Sequence, residues 1–195
     1  MAYLTRPNLA GTILADFELA QQVGRGYYGD VYEAIYRPNG KRFALKLLDA
    51  DATEDMRRRF RSEFKVLSTL EIKGLVAAYH FGELADGRLF FTTDLLPGQN
   101  FERYLRTHRD TRPDRALEWT LQIAEVISTL HAEGVLHRDL KPGNIQIDDK
   151  GDLTVYDLGS CKCTPVFYAE TERRYITGPE DRHITGASER RNLCT

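Results

Sequence analysis

The spacing of apolar residues divides the chain into a strand-rich first half and a helix-rich second half. Before residue 97, short apolar runs alternate with turns that contain glycine, proline or aspartate, which is typical of antiparallel strands. This pattern predicts five strands, at residues 17–23, 31–36, 42–48, 75–83 and 88–93. Between the third and fourth strands, apolar residues recur every three or four positions from Met56 to Leu70, which predicts an amphipathic helix over 53–70.

After Pro97-Gly98 the pattern becomes helical. A short helix is predicted at 99–107, and a longer one begins at Pro113, where a helix tolerates proline well. An apolar stripe on the longer helix is expected to face the core, and its members are Leu117, Leu121, Ala124, Ile127 and Leu130. Two short strands at 145–147 and 153–156 are predicted to form a hairpin that places Asn144 and Asp157 side by side.

Composition narrows the classes of function. With 195 residues, of which 42% are hydrophobic, the chain can bury the core of one or two globular units. A formal charge of −2 argues against a nucleic-acid partner, because such domains usually carry a basic excess. The odd number of cysteines (Cys161, Cys163 and Cys194) indicates a reducing compartment, and two neighbouring thiols alone are too few for a metal site. No apolar stretch approaches membrane-spanning length, so we expect a cytoplasmic protein without a membrane partner.

The most specific motif is an eight-residue run that ends at Asn144. It reads His137-Arg138-Asp139-Leu140-Lys141-Pro142-Gly143-Asn144, and Asp157-Leu158-Gly159 follows thirteen positions later. Two carboxylates, an amide and a lysine at these separations are what a site needs to hold Mg²⁺ on ATP and to orient a hydroxyl for phosphoryl transfer.

A glycine-rich turn lies between the first two predicted strands. Gly24, Gly26, Gly29 and Val31 fit the pattern GxGxxGxV, in which backbone N–H groups can approach phosphate oxygens and the valine can cover an adenine ring. A dinucleotide-binding turn would lead from a strand into a helix, whereas residues 31–35 read as a second strand. A glycine hairpin without a ligand is the structural alternative.

Lys46 lies among apolar residues on the third strand, and Glu63 lies on the apolar stripe of the first helix. A buried ammonium group is costly unless it is paired, so a mutual ion pair is predicted. The alternative is a Lys46 side chain that reaches solvent and an unrelated Glu63.

Taken together, these motifs resemble the protein kinase family, and Lys141, two residues after Asp139, resembles its serine/threonine branch. The resemblance implies an α+β, protein-kinase-like two-lobed fold, with a five-stranded antiparallel small lobe and a mainly helical, incomplete large lobe. We expect an N-terminal extension at 1–14, the small lobe at 15–96 and the partial large lobe at 97–195.

The resemblance also implies residue roles. Asp139 would orient the substrate hydroxyl, Lys141 would steady the γ-phosphate, and Asn144 and Asp157 would hold Mg²⁺. Arg138 would receive an activation-segment phosphate, and His137 would support the loop. The ATP-binding set consists of Gly24, Gly26, Gly29, Val31, Ala44, Lys46, Glu63, the gatekeeper Thr93, the hinge residues Asp94 and Leu96, and Gln146.

Several features depart from the family pattern. Gln146 stands where an apolar residue usually lies under the adenine, and Leu158 replaces a phenylalanine. The end of the activation segment aligns either with residues 175–180 or with 164–170, and Thr164, Tyr168, Thr171 and Thr177 are candidate phosphosites. Helices that follow in the family are absent before Thr195, so we expect the face of the Leu117 helix to be exposed and a partner to cover it.

The predicted function is a serine/threonine protein kinase that uses ATP and Mg²⁺ on a protein substrate. Two alternatives stay open. One is an impaired, truncated kinase that serves as a nucleotide- or partner-binding module. The other is a small-molecule kinase, which would not usually keep the sequence of residues 138–142.

Overall fold

The computed structural model describes residues 8–26, 29–108 and 112–168. The chain divides into two compact units, the first comprising Met1–Arg57 and Tyr79–Leu95 and the second Arg58–Ala78 and Leu96–Thr195. In chain order the elements are β1 (Ile13–Leu14), β2 (Phe17–Arg25), β3 (Gly29–Tyr36), β4 (Lys41–Leu48), α1 (Glu54–Thr69), β5 (Ala78–Glu83), β6 (Leu89–Thr93), β7 (Gln99–Asn100), α2 (Phe101–Thr107), α3 (Pro113–Ala132), β8 (Val135–Leu136), β9 (Ile145–Ile147), β10 (Leu153–Val155) and β11 (Lys162–Cys163).

The first unit is built on an antiparallel sheet with the strand order β1-β2-β3-β4-β6-β5. It has six strands, not the predicted five, because the two-residue β1 pairs with the start of β2 and is too short to show a period. β5 begins at Ala78, later than predicted, because Leu75 instead forms a parallel bridge with Val155. One face of the sheet carries the buried core, which consists of Phe17, Leu19, Tyr32, Ala34, Phe43, Leu45, Leu47 and Phe90.

Helix α1 confirms the predicted amphipathic helix to within one residue at each end. It begins after Thr53, whose Oγ1 accepts a hydrogen bond from the Met56 N–H at 3.3 Å. Its buried residues are Phe60, Glu63, Val66 and Leu67. Most of the helix belongs to the second unit, whereas the sequence placed it in the small lobe.

The second unit contains α2 and α3, whose aromatic side chains pack together. Phe101 and Trp119 meet edge to face with ring centroids 5.1 Å apart. The prediction that the stripe on α3 faces the core is wrong in part, because Leu117 is 60% exposed and Leu121 is 56% exposed; the expected exposure of the Leu117 face is confirmed. The buried residues are Trp119, Val126 and Leu130. Spacing alone does not select between the two sides of the helix, and the side that carries Trp119 buries the larger side chain.

The predicted hairpin of the second unit is present. β9 and β10 pair with Ile145 opposite Val155, and β7 adds to the other edge of β9. β11 pairs with β8, which follows α3. No helix within the described ranges is long and apolar enough to cross a membrane.

Two leucines on α3 test its orientation. We expect Leu130→Ala to lower the free energy of unfolding by about 2–5 kcal/mol, because Leu130 is fully buried and its loss leaves a cavity. Leu117→Ala on the same helix should change it by less than about 0.5 kcal/mol. Urea unfolding followed by circular dichroism measures both, and equal losses would contradict the observed orientation.

Candidate active site

The glycine-rich turn joins β2 to β3 in the first unit. Gly24 pairs with Val31 and Arg25 with Asp30, and the Gly26 N–H donates to the Gly29 carbonyl oxygen at 2.8 Å. A Cβ on Gly29 would collide with the Leu47 carbonyl oxygen of the neighbouring strand. Strand packing therefore requires glycine at position 29, whether or not the turn binds phosphate.

The other predicted ATP-binding residues of this unit share one face of the sheet. Val31 pairs with Lys46 and Ala44 pairs with Thr93, and paired residues in an antiparallel sheet point to the same side. All four are partly exposed, on the side opposite to the buried core. The Lys46 ammonium lies 5.7 Å from the centroid of the Phe91 ring, a cation–π distance.

At the end of β6, Asp94 accepts a hydrogen bond from the Tyr79 hydroxyl at 2.6 Å. Burial and this bond raise the pKa of Tyr79 to about 12, so the phenol stays protonated near neutral pH. Asp94 belongs to the first unit, whereas the other predicted hinge residue, Leu96, belongs to the second unit.

The catalytic-loop motif forms a hydrogen-bonded cluster in the second unit. Lys141 Nζ donates to Asp139 Oδ2 at 2.7 Å. Asn144 Nδ2 donates to the Asp139 carbonyl oxygen at 2.9 Å and to its Oδ2 at 3.1 Å. Because the amide nitrogen of Asn144 binds Asp139, its Oδ1 is the atom available to a cation.

The charges of this cluster are complementary. The hydrogen bond from Lys141 lowers the pKa of Asp139 below its ordinary value, and Asn144 acts in the same direction. The bond to Asp139 raises the pKa of Lys141. Asp139 is therefore a carboxylate and Lys141 an ammonium group at neutral pH.

Two non-glycine residues of the motif adopt the left-handed backbone region. Arg138 has φ 64° and Asp157 has φ 63°. Arg138 Nε donates to the Ser160 carbonyl oxygen at 2.8 Å, and the Gly159 N–H donates to Asp157 Oδ1 at 3.3 Å. Such conformations cost on the order of 1–3 kcal/mol each and are held where a site requires them.

The β9–β10 hairpin joins the loop that ends at Asn144 to the turn that begins at Asp157, as predicted. The Tyr156 N–H donates to the Asn144 carbonyl oxygen at 2.9 Å, immediately beyond the Ile145–Val155 pair. Gln146 is partly exposed between the buried Ile145 and Ile147, as the alternation of a strand predicts. Leu158 is fully buried, in agreement with an apolar role.

Sequence reasoning missed two residues that contact the loop. Asn100 Nδ2 donates to the Gly143 carbonyl oxygen at 2.8 Å and to Tyr156 Oη at 2.9 Å, and Tyr156 Oη donates to the same carbonyl at 2.8 Å. Asn100 also caps α2, since its Oδ1 accepts from the Glu102 N–H at 3.0 Å. The available signal was an asparagine directly before a helical run, but the predicted helix begins at residue 99, two residues before α2.

His137 lies buried beneath the loop. Its Nδ1 accepts the Asp139 N–H at 3.3 Å, which assigns the ring proton to Nε2. Within the described part of the chain, Nε2 has no hydrogen-bond partner. Burial lowers the pKa of His137 below 6.5, although the Asp157 and Asp139 carboxylates oppose the shift.

Glu63 is buried on α1 at 2% exposure. A Cβ on Gly159 would lie 3.4 Å from Glu63 Oε2, so the Glu63 side chain of α1 approaches the Asp157-Leu158-Gly159 turn closely. Lys46 belongs to the first unit and Glu63 to the second, and their ion pair stays a prediction.

Two free thiols follow the turn. Burial and a hydrogen bond to Cys163 raise the pKa of Cys161, the bond being the larger cause. The same bond lowers the pKa of Cys163 to about 7 against the effect of burial, and contacts with Ser62, Tyr168 and Lys65 act with it. In the described ranges, no three histidine, cysteine, aspartate or glutamate residues cluster as a metal site.

Comparison with known proteins assigns the family. The model of the protein kinase domain matches residues 17–172. The chain belongs to the protein kinase family. This kinase domain is 31% identical over 156 residues to the serine/threonine-protein kinase PknH of Mycobacterium tuberculosis, an alignment that covers 79% of the chain and 25% of the relative.

Other curated relatives are also serine/threonine-protein kinases by name. The serine/threonine-protein kinase PknE of Mycobacterium tuberculosis is 32% identical over 162 residues, which cover 82% of the chain and 28% of PknE. The probable serine/threonine-protein kinase SCO3848 of Streptomyces coelicolor is 31% identical over 148 residues, which cover 73% of the chain and 22% of SCO3848. The chain therefore matches about a quarter of the length of these relatives.

Some predictions lie outside the described residues. These are the activation-segment alignment at 175–180, the candidate phosphosites Thr171 and Thr177, and Cys194. The candidate phosphosite Thr164 lies within the described residues, and its N–H donates to the Gly134 carbonyl oxygen at 2.8 Å.

The two glycines of the turn give a matched test of packing. We expect Gly29→Ala to lower the free energy of unfolding by roughly 1–3 kcal/mol, because the Leu47 backbone cannot move aside. A Cβ on Gly26 would meet only the Gly29 oxygen, at 3.4 Å, so Gly26→Ala should be milder. Thermal unfolding compares them, and a greater loss for Gly26→Ala would contradict this account.

His137 should make stability depend on pH. Its folded pKa is depressed, so its contribution is full above the unfolded value of 6.5 and is lost as the pH falls through the folded value. We expect the melting temperature of His137→Phe to fall less than that of the wild type between about pH 7.5 and pH 5. His131→Gln, at an exposed position on α3, is the control, and parallel curves for all three proteins would refute the prediction.

Proposed function

We propose that this kinase domain transfers the γ-phosphate of ATP to a serine or threonine hydroxyl of a protein. The observation that carries the proposal is that one carboxylate oxygen of Asp139, Oδ2, accepts hydrogen bonds from both Lys141 and Asn144. A negatively charged acceptor, an exposed ammonium group and an amide oxygen lie within one loop, which suits proton acceptance, phosphate binding and metal binding.

Asp139 would orient the hydroxyl and accept its proton. Its side chain is 40% exposed, so a substrate hydroxyl can reach it, and its lowered pKa keeps it ionised. Lys141 is more exposed, at 55%, and would turn from Asp139 towards the transferring phosphate.

Asn144 Oδ1 and the Asp157 carboxylate would hold Mg²⁺, which favours a few protein oxygens together with phosphate oxygens. Mg²⁺ would neutralise charge on the phosphates when it is bound. The hydrogen bonds of Asn144 Nδ2 leave its oxygen for this purpose, and the hairpin brings the two residues to adjacent strand ends.

Most of the proposed nucleotide-binding residues belong to the first unit. We propose that Gly24, Gly26 and Gly29 approach the phosphates, that Val31, Ala44, Thr93, Asp94, Leu96 and Gln146 border the adenine, and that Lys46, paired with Glu63, binds the α- and β-phosphates. The common face of Val31, Ala44, Lys46 and Thr93 supports this assignment. The free thiols support a reducing, cytoplasmic location.

A second candidate is a binding module that holds nucleotide or a partner without turnover. The exposed Leu117 and Leu121 on α3 favour it, since a partner protein could cover this face of the helix. Melting of the purified chain with ADP, with and without Mg²⁺, together with a phosphotransfer assay separates the two. Binding without turnover would favour the module.

Asp157→Asn tests the metal assignment. We expect incorporation of labelled phosphate from ATP into the chain and into casein to fall to background, because the variant loses a charged Mg²⁺ ligand. Asp152→Asn makes the same change at an exposed position beside β10 and should keep wild-type activity. Undiminished transfer by Asp157→Asn would refute the assignment.

A further inference from the structure

Three hydrogen bonds meet around one carbonyl group beside the catalytic loop. Gly143 O accepts from Asn100 Nδ2 at 2.8 Å and from Tyr156 Oη at 2.8 Å, and Asn100 Nδ2 also donates to Tyr156 Oη at 2.9 Å. The amide nitrogen, the carbonyl oxygen and the hydroxyl oxygen thus form a nearly equilateral triangle, in which each atom contacts the other two. We call these three residues the loop brace.

The loop brace contacts the chain next to both proposed metal ligands. Gly143 directly precedes Asn144, and Tyr156 directly precedes Asp157. The backbone already joins the two segments at one point, through the Tyr156 N–H and the Asn144 carbonyl oxygen at 2.9 Å. The hydrogen bond from the Tyr156 hydroxyl to Gly143 O is a second connection between the two segments, one residue before Asn144. With two connections, the segments cannot rotate about the backbone hydrogen bond alone.

Helix capping does not explain why an asparagine stands at position 100. Its Oδ1 accepts from the N–H groups of Glu102 and Arg103, which serine, threonine or aspartate could also do. The two bonds from Nδ2 need a donor that those residues cannot supply in the same geometry. Both ends of the amide are therefore used.

Packing alone does not explain Tyr156 either. A phenylalanine would fill the same volume, whereas the hydroxyl both donates to Gly143 O and accepts from Asn100. The hydroxyl therefore makes contacts that the ring alone cannot make.

We infer that Asn100 and Tyr156 are positioning residues that hold Asn144 and Asp157 at the separation required to bind Mg²⁺ with the nucleotide. This inference rests on the proposed function, because it concerns the same metal site. It assigns to the start of α2 a part in metal binding, although neither side chain is itself a ligand.

Two nearly isosteric variants remove the brace selectively. Asn100→Asp keeps an acceptor for the α2 cap but loses both donors, and Tyr156→Phe loses only the hydroxyl. We expect each to raise the Mg²⁺ concentration for half-maximal phosphate transfer roughly tenfold, with little change in KM for casein. The double variant should lose little more than either single one, because the bonds share one carbonyl.

Tyr104→Phe is the matched control, since Tyr104 lies on α2 and stacks on His108 without joining the brace. It should behave as the wild type. Unchanged Mg²⁺ dependence in Asn100→Asp and Tyr156→Phe would overturn the inference, as would equal changes in Tyr104→Phe or additive losses in the double variant.

Amide hydrogen exchange separates this inference from the proposed function. If the wild-type chain transfers no phosphate, the proposed function fails, while the brace can still be measured. We expect faster exchange of the Asn144 and Tyr156 amides in Asn100→Asp and Tyr156→Phe, with protection of α3 unchanged. Wild-type protection of both amides in these variants would overturn the inference without any assay of activity.

Discussion

The hydrogen bond from the Tyr156 amide to the Asn144 carbonyl continues the β9–β10 ladder by one step and fixes the centre of the candidate site. A slip of the hairpin by one residue would turn every side chain to the opposite face. Such a slip would expose Ile145 and Val155, which are at most 2% exposed. The hydrophobic register of two short strands therefore decides where Asn144 and Asp157 stand.

The loop on one side of this hairpin and the turn on the other are both held in costly backbone conformations. Arg138 and Asp157 have positive φ, and each is tied through Ser160 or Gly159. The ion pair between Asp139 and Lys141 is partly exposed, so it adds little to stability. Its proposed importance is chemical, because it keeps a carboxylate ionised next to an ammonium group that would bind phosphate.

The elements that depend on local periodicity could be predicted from the sequence. The strands of the first unit, α1 and the β9–β10 hairpin follow from runs of apolar residues and turn chemistry, and the motif residues fell where those elements placed them. The buried face of α3 could not be predicted in this way, because apolar residues occur on two sides of the helix. The packing of Trp119 against Phe101 decides which side is buried. The contacts of Asn100 with Gly143 and Tyr156 span 43 and 56 residues, and no local pattern encodes them.

Helix α1 contacts the segment that follows Asp157 at two points. A Cβ on Gly159 would lie 3.2 Å from Asp157 Oδ1 and 3.4 Å from Glu63 Oε2, so two carboxylates approach one glycine. Further along, Lys65 Nζ lies 5.1 Å from the centroid of the Tyr168 ring. The first distance is shorter than ordinary van der Waals contact and the second is at its lower limit, so a side chain at position 159 would crowd these carboxylates. The absence of a side chain at Gly159 therefore lets the carboxylates of Glu63 and Asp157 both lie close to the turn.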